Sequence, residues 1–393
     1  MIKRIMLIIF GGLTISTLLL PDIYAYDESN IYLDQRDEII NAELNKAQKK
    51  KQLQNLQKEY FVREFDHLNH NMDTTKAMMS RNPHSLERET IEKSLPSQTT
   101  TTKTLRHKNG YIQVGLAHRV DDYQWTIAGT TAGTSPNILS DLEWNNLKSS
   151  QIRAKAGATL FNRFIVEGYG AYADIYSGEN QDSDFLGDNR TLEFSRSNNN
   201  SKDGELVDLS AGIGYLFDIK YMLEYLQADT LTLTTLAGYS YHELKLNTTE
   251  GFQTIPASGP FAGLRSTYNA TWEGPWAGFE LRGQRNKISG FFRLEYHWAD
   301  YYAHADWNLR SEFQHPISFE HFSDGMGLVY QTGVSYHPNE HWSVDLSGDI
   351  QNWRAREGVD RTHFVSSADI DTQLNEVRWN SYAVMLGATY SFL

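Results

Sequence analysis

Cysteine is absent from all 393 residues. No disulfide can therefore brace the fold, and no lipid-modified cysteine can anchor it. Long apolar runs are also missing: after Ala25 nothing approaches the roughly 20 residues that a spanning helix needs, so any membrane crossing in the mature chain must be made of strands. Basic charge is in deficit, with a formal net charge of −13, and this argues against nucleic acid as a partner. No phosphate-binding loop and no serine-nucleophile motif occurs, because "GPFAG" (Gly259–Gly263) and "GEN" (Gly178–Asn180) read as turns. Aromatic residues, in contrast, are plentiful. The 22 Tyr and 9 Trp suit a bilayer interface, where a side chain with a wet end and a dry end has a place to sit.

The chain opens with "MIKRIMLIIFGGLTISTLLLPDIYA". Lys3 and Arg4 precede an apolar run from Ile5 to Leu20, and the small Ala25 closes the segment, so residues 1–25 are expected to be a cleaved secretory signal. The alternative, an uncleaved anchor, is opposed by the short run and by Pro21-Asp22. Residues 26–75 are rich in Gln, Lys, Glu and Leu. Apolar residues at Ile40, Leu44 and Ala47, then Leu53, Leu56 and Tyr60, predict a narrow-striped helix with coiled-coil character, broken at "KAQKKKQ". It reads as a periplasmic oligomerisation helix or as a solvated extension, and the pattern leaves both open. Residues 76–109 form a polar linker, ending in "SLPSQTTTTKTLRHKN".

From Gly110 the period of the sequence becomes two. Ten strands are expected, over 111–127, 138–160, 163–177, 204–217, 231–246, 264–283, 287–306, 320–337, 342–357 and 376–393. Each has one greasy face: Tyr382, Val384, Leu386, Ala388, Tyr390 and Phe392 oppose Ser381, Ala383, Met385, Gly387, Thr389 and Ser391 in the last. A β-sandwich would show the same alternation, but connection lengths discriminate. Short links at Phe161–Arg163, Gly283–Asn286 and His337–His341 alternate with long ones at Glu179–Asp203, Asn247–Gly263, Trp307–Phe319 and Gly358–Asn375. That is the pattern of an outer-membrane barrel, with short periplasmic turns and long external loops. The fold class expected is thus all-β, a ten-stranded antiparallel transmembrane barrel over 110–393 with an N-terminal helical extension in the periplasm. Its inward face carries Arg153, Lys155, Asp208, Arg293, Glu295, His297, Asp345 and Asp349, charges able to pair across a narrow lumen.

The runs "NILSDLEWNNLKSSQIRAKAGATL", "NQDSDFLGD", "LTLTTLAGYSYHEL" and "NSYAVMLGATYSFL" resemble the omptin family of ten-stranded outer-membrane proteases. The helical N-terminal region and the penultimate aromatic Phe392 resemble the related Protochlamydia outer membrane protein family. The second resemblance implies a porin-like channel or a structural envelope protein. The first implies an endopeptidase that cleaves near basic residues, with an Asp pair on one side of the barrel mouth and an Asp-x-His pair on the other. Asp182 and Asp184 match the Asp pair. "YYAHADW" supplies His304 and Asp306 in reversed order, which shifts the imidazole by about 6.5–7 Å along the strand. Strict alternation also aims His304 and Asp306 outward, with Phe292, Leu294, Tyr296 and Trp298, unless a bulge intervenes. The expected catalytic set is therefore Asp182, Asp184, His304 and Asp306. A hard cation on these groups is an alternative whose spacing fits no motif. No cofactor or resident metal is expected. The partners implied are outer-membrane lipid, lipopolysaccharide as a bound lipid, the barrel assembly machinery, and a second copy through the N-terminal helix.

Overall fold

The computed structural model describes residues 110–219 and 228–392. The expected signal segment, helix and linker lie outside the described residues. No helix occurs among the described residues, which form one antiparallel sheet of thirteen strands. In chain order these are β1 (Gly110–Ile127), β2 (Ser140–Leu160), β3 (Phe164–Gly187), β4 (Thr191–Asn200), β5 (Gly204–Asp218), β6 (Thr230–Ile255), β7 (Gly259–Pro260), β8 (Arg265–Arg285), β9 (Ile288–Asp306), β10 (Phe319–Tyr336), β11 (Trp342–Ala355), β12 (Gly358–Thr362) and β13 (Ile370–Phe392). Ten of them form a ring, β1-β2-β3-β5-β6-β8-β9-β10-β11-β13. It closes where β1 pairs β13, from Gly110 opposite Phe392 to Ile127 opposite Leu374. Closure removes the exposed edge that an open sheet of this size would present.

All ten expected strands are present. Three of the expected long loops are not loops: β3 and β6 run on past 177 and 246, and β4, β7 and β12 fill the remainder. The backbone ladder continues there while the contrast between faces disappears. "TLEFSRSNNN" in β4 has polar side chains on both sides, so a period-two reading finds no signal in it.

Which face meets which solvent is settled by exposure. Tyr382, Val384 and Leu386 are 54–63% exposed, while their neighbours Ser381, Ala383 and Met385 are at most 4% exposed. A water-soluble sandwich would reverse this, because each exposed Leu or Val forgoes about 1.5–3 kcal/mol of burial. The exposed residues form a continuous outer belt that includes Ile112, Val114, Leu116, Ile152, Val166, Leu209, Ile213 and Leu346. Phe164, Phe217, Trp342 and Phe392 edge the belt at the short-turn end, and Tyr172, Tyr239, Trp298 and Tyr382 edge it at the other. Along β13 the ten steps from Tyr382 to Phe392 span about 34 Å, and a tilt of about 40–45° projects this to about 25 Å, the height of a lipid-facing band.

The inside is filled in two layers. In the middle of the barrel Arg119 grips Asp121 through Nε and Nη2 and reaches Asp208 through Nη1 at 2.6 Å, and Asp208 also meets His242 Nδ1 at 2.8 Å. Arg153 pairs with Asp349, Lys155 with Glu167 at 3.1 Å, and Arg293 with Glu295 and Glu167 at 2.5 Å each. These buried charges persist because each has a partner. Towards the long-loop end lies an aromatic layer containing the fully buried Trp144, Trp272, Trp353 and Trp379. Trp353 stacks on Trp379 with centroids 5.6 Å apart and lies 5.8 Å from Trp272. Gly327 makes room for this packing: a Cβ there would lie 2.5 Å from the Trp353 ring.

Candidate functional site

Beyond the upper aromatic edge, outside the membrane-spanning segments, β2 and β3 change which residues face inward. Below that point the even-numbered Tyr172 and Asp174 of β3 are exposed and Ala173 and Ile175 are buried. The register then slips around Lys148, beside Asn146, whose φ is +54°. This bulge inverts the parity of β3, so that Asn180, Asp182 and Asp184 lie opposite the inward-facing Trp144, Leu142 and Ser140. A bulge near a rim re-aims side chains in this way. The two aspartates expected in a loop thus stand on a strand and face the mouth.

Their surroundings are specific. The Trp307 side chain, from the segment after β9, donates to the Asp182 carboxyl, and Ser140 and Ser195 donate to Asp184. Arg310 sits close enough to attract both. Burial nevertheless dominates, and with the neighbouring Asp184 charge it pushes Asp182 up to about 8. Burial raises Asp184 as well. Two carboxyls two residues apart that cannot readily both ionise hold a proton between them at neutral pH.

His304 and Asp306 are not brought to this pair. β9 keeps one unbroken register with both β8 and β10 up to its end, with no bulge, so both residues stay on the outer face. His304 Nε2 lies 3.1 Å from Asn269 Nδ2, and Asp306 accepts from His315 Nδ1 at 2.6 Å. The inward positions at the end of β9 are Ala303 and Ala305, both fully buried and without chemistry.

An inward imidazole does exist, on the next strand. His321, fully buried on β10, has Nε2 3.2 Å from Asp360 Oδ1 and Nδ1 2.8 Å from the Tyr268 hydroxyl. From there hydroxyl contacts run to Tyr301 at 2.5 Å and on to Tyr123 at 2.8 Å. Asp360 also accepts from Thr372 at 2.8 Å. Phe319 packs against both His321 and Trp307, at 5.2 and 4.9 Å between centroids, and so stands between this relay and the acid pair. Sequence reading passed over His321, which the odd inward parity of β10 could have found, and Asp360 lay in an expected loop. Among the described residues no group of three or more His, Asp or Glu side chains is arranged to hold a metal ion.

The outer wall carries a groove of about 760 Å³ just past the apolar belt, lined by Tyr296, Met326, Asp324, Arg354, Arg356 and Glu376 among others. Glu376 pairs with both Arg354 and Arg378.

The family model described as the Protochlamydia outer membrane protein matches residues 112–392. No curated protein matches the chain. Among solved structures, the outer membrane protease OmpT from Escherichia coli aligns with a TM-score of 0.59 at 14% identity, over 72% of this chain and 97% of that one. The outer membrane protein OprG from Pseudomonas aeruginosa aligns at 0.33 and 12% identity, over 73% and 97% of the two chains. At such identities the likeness to OmpT is one of fold, and the lower score for OprG carries no argument.

Proposed function

From the premise that this chain belongs to the Protochlamydia outer membrane protein family, we propose that it is a closed structural barrel of the bacterial outer membrane rather than an open porin. The observation that carries this reading is the filled interior. An aromatic layer with Trp144, Trp272, Trp353 and Trp379 fully buried lies above a layer of paired charges, and ions crossing the lumen would have to displace both. In a ten-stranded barrel the interior is only slightly wider than one that side chains fill completely. The described ends, Gly110 and Phe392, pair at the short-turn end, which supports a periplasmic placement for the N-terminal segment.

The test is conductance of the refolded full chain in a planar bilayer. No stepwise current is expected, and regular steps would overturn the closed-barrel reading in favour of a narrow channel. A second reading, an endopeptidase acting near basic residues, is favoured by one observation: the acid pair faces the mouth with a raised carboxyl at Asp182. That reading lacks the expected histidine beside the pair, since His304 and Asp306 face away. Dibasic peptides incubated with the refolded protein and lipopolysaccharide should stay intact. Cleavage lost in both Asp182→Ala and His304→Ala would establish the enzyme instead.

A further inference from the structure

The hydroxyl chain at the mouth has a direction. Asp360, as a carboxylate, only accepts, so the two groups that reach it, His321 Nε2 at 3.2 Å and the Thr372 hydroxyl at 2.8 Å, both donate. A neutral imidazole has one N–H, and with that proton on Nε2 the bare Nδ1 accepts from the Tyr268 hydroxyl at 2.8 Å. Tyr268 in turn accepts from Tyr301 at 2.5 Å, and Tyr301 from Tyr123 at 2.8 Å. Every donor then has an acceptor, and all of them point towards Asp360.

The chain is shut off from solvent. Tyr123, Tyr268, Tyr301, His321 and Asp360 are each at most 2% exposed, and burial holds the Tyr268 hydroxyl well above its ordinary value. No substrate reaches these groups. An electron needs no opening, however, because it tunnels between packed rings. Trp125 stacks on Tyr268 with centroids 5.9 Å apart, and Trp144 lies 5.3 Å from it. Phe319 bridges Trp125 to the partly exposed Trp307, at 5.7 and 4.9 Å between centroids. Loss of an electron alone would leave a buried phenol cation, and loss of a proton alone would leave a buried phenolate. Both are costly in a dry site. Losing the two together avoids either charge on the ring, provided that a base already holds the hydroxyl proton, and His321 Nδ1 is that base.

We propose that Tyr268 is a one-electron redox site that passes its hydroxyl proton to His321 as its electron leaves through the neighbouring tryptophans. The O–H bond of Tyr268 breaks and an N–H bond forms at His321 Nδ1. The products are a neutral phenoxyl radical and an imidazolium paired with Asp360. The electron goes to an outer-sphere one-electron oxidant of the peroxyl-radical class, which takes a proton from water and leaves as the hydroperoxide. The inference is independent of the conductance reading, since no atom of the lumen has to move.

The test is flash oxidation of the refolded full chain in lipid, with photogenerated tris(bipyridine)ruthenium(III) as the oxidant, at about pH 8.5, where an ordinary imidazole is neutral. High-field electron paramagnetic resonance should show a tyrosyl radical with one narrow g-value, lowered by fixed hydrogen bonds, and its formation should slow in heavy water. Tyr268→Phe should lose this signal, while Tyr172→Phe, at an exposed position, should keep it. His321→Gln should slow radical formation about 100-fold or more, as removal of a positioned base does, and abolish the heavy-water effect. Heat-dependent gel mobility shows that each variant is folded. No radical in the unaltered chain, or only the broad signal that water-exposed tyrosines give, would overturn the proposal whether or not any variant folds. So would a narrow signal that survives Tyr268→Phe, or an unchanged rate in folded His321→Gln.

Discussion

Asp182 keeps its proton to about pH 8 because burial and Asp184 disfavour its charge, and the sign of this for stability follows from linkage. An unfolded aspartate ionises near pH 4, so the folded chain binds the proton more tightly, and the stabilisation is complete below about pH 4. It is lost as the pH climbs towards 8 and is level beyond that. Denaturant midpoints should therefore fall over this interval, and Asp182→Asn should flatten the fall; an unchanged slope in the variant would refute the assignment. Gly327→Ala probes the other buried layer. Its Cβ would meet the Trp353 ring at 2.5 Å, and overpacking of this kind costs about 1–3 kcal/mol, to be read as a lower denaturant midpoint. The residue types of the acid pair were legible as an Asp-x-Asp run. Their direction was not, because it is set by a bulge at Asn146 that no apolar pattern marks. His304 and Asp306 show the converse: with no bulge in β9, simple parity already aimed them outward.

At the scale of elements, legibility follows the bilayer. Where lipid lies on one side and a packed lumen on the other, the two faces differ in chemistry, and all ten ring strands could be read from that difference. Past the belt the outer face meets water in place of lipid and polar residues stand on both faces, so β4, β7, β12 and the ends of β3 and β6 leave little alternating trace although their ladders are complete. β12 is held on its inner side by Asp360, which accepts from both His321 and Thr372 while only 2% exposed. Asp360→Ala should leave those buried donors unsatisfied and cost β12 about 1–3 kcal/mol of local stability. Amide exchange over Val359–Thr362 should then accelerate by roughly 5- to 150-fold, with β10 residues in the belt unchanged. Equal acceleration in both places would mean that Asp360 braces the whole barrel and not this strand.

For the whole molecule, the closed ring and the filled lumen are separable properties, because different atoms secure them. The ring rests on main-chain pairing from β1 around to β13, which needs no particular inward side chain. Closure to ions rests on inward side chains alone. Trp272, Trp353 and Trp379 form one contact group, 5.6–6.4 Å between centroids, and Arg119 below it packs its guanidinium 5.4 Å from Trp379. Removing Arg119 would strand Asp121 and Asp208 in the lumen and cost about 3–5 kcal/mol, which confounds stability with permeability. Shortening the three tryptophans removes bulk without stranding a charge, apart from the Trp379 indole that donates to Asp121 at 2.8 Å. The combined Trp272→Ala, Trp353→Ala and Trp379→Phe chain should therefore still fold as a barrel, shown by heat-dependent gel mobility. It should pass ions in a planar bilayer where the parent does not. A folded variant that remains silent would place the barrier in the charge layer, and the single variant Gln151→Ala beside Arg153 would be the next position to open.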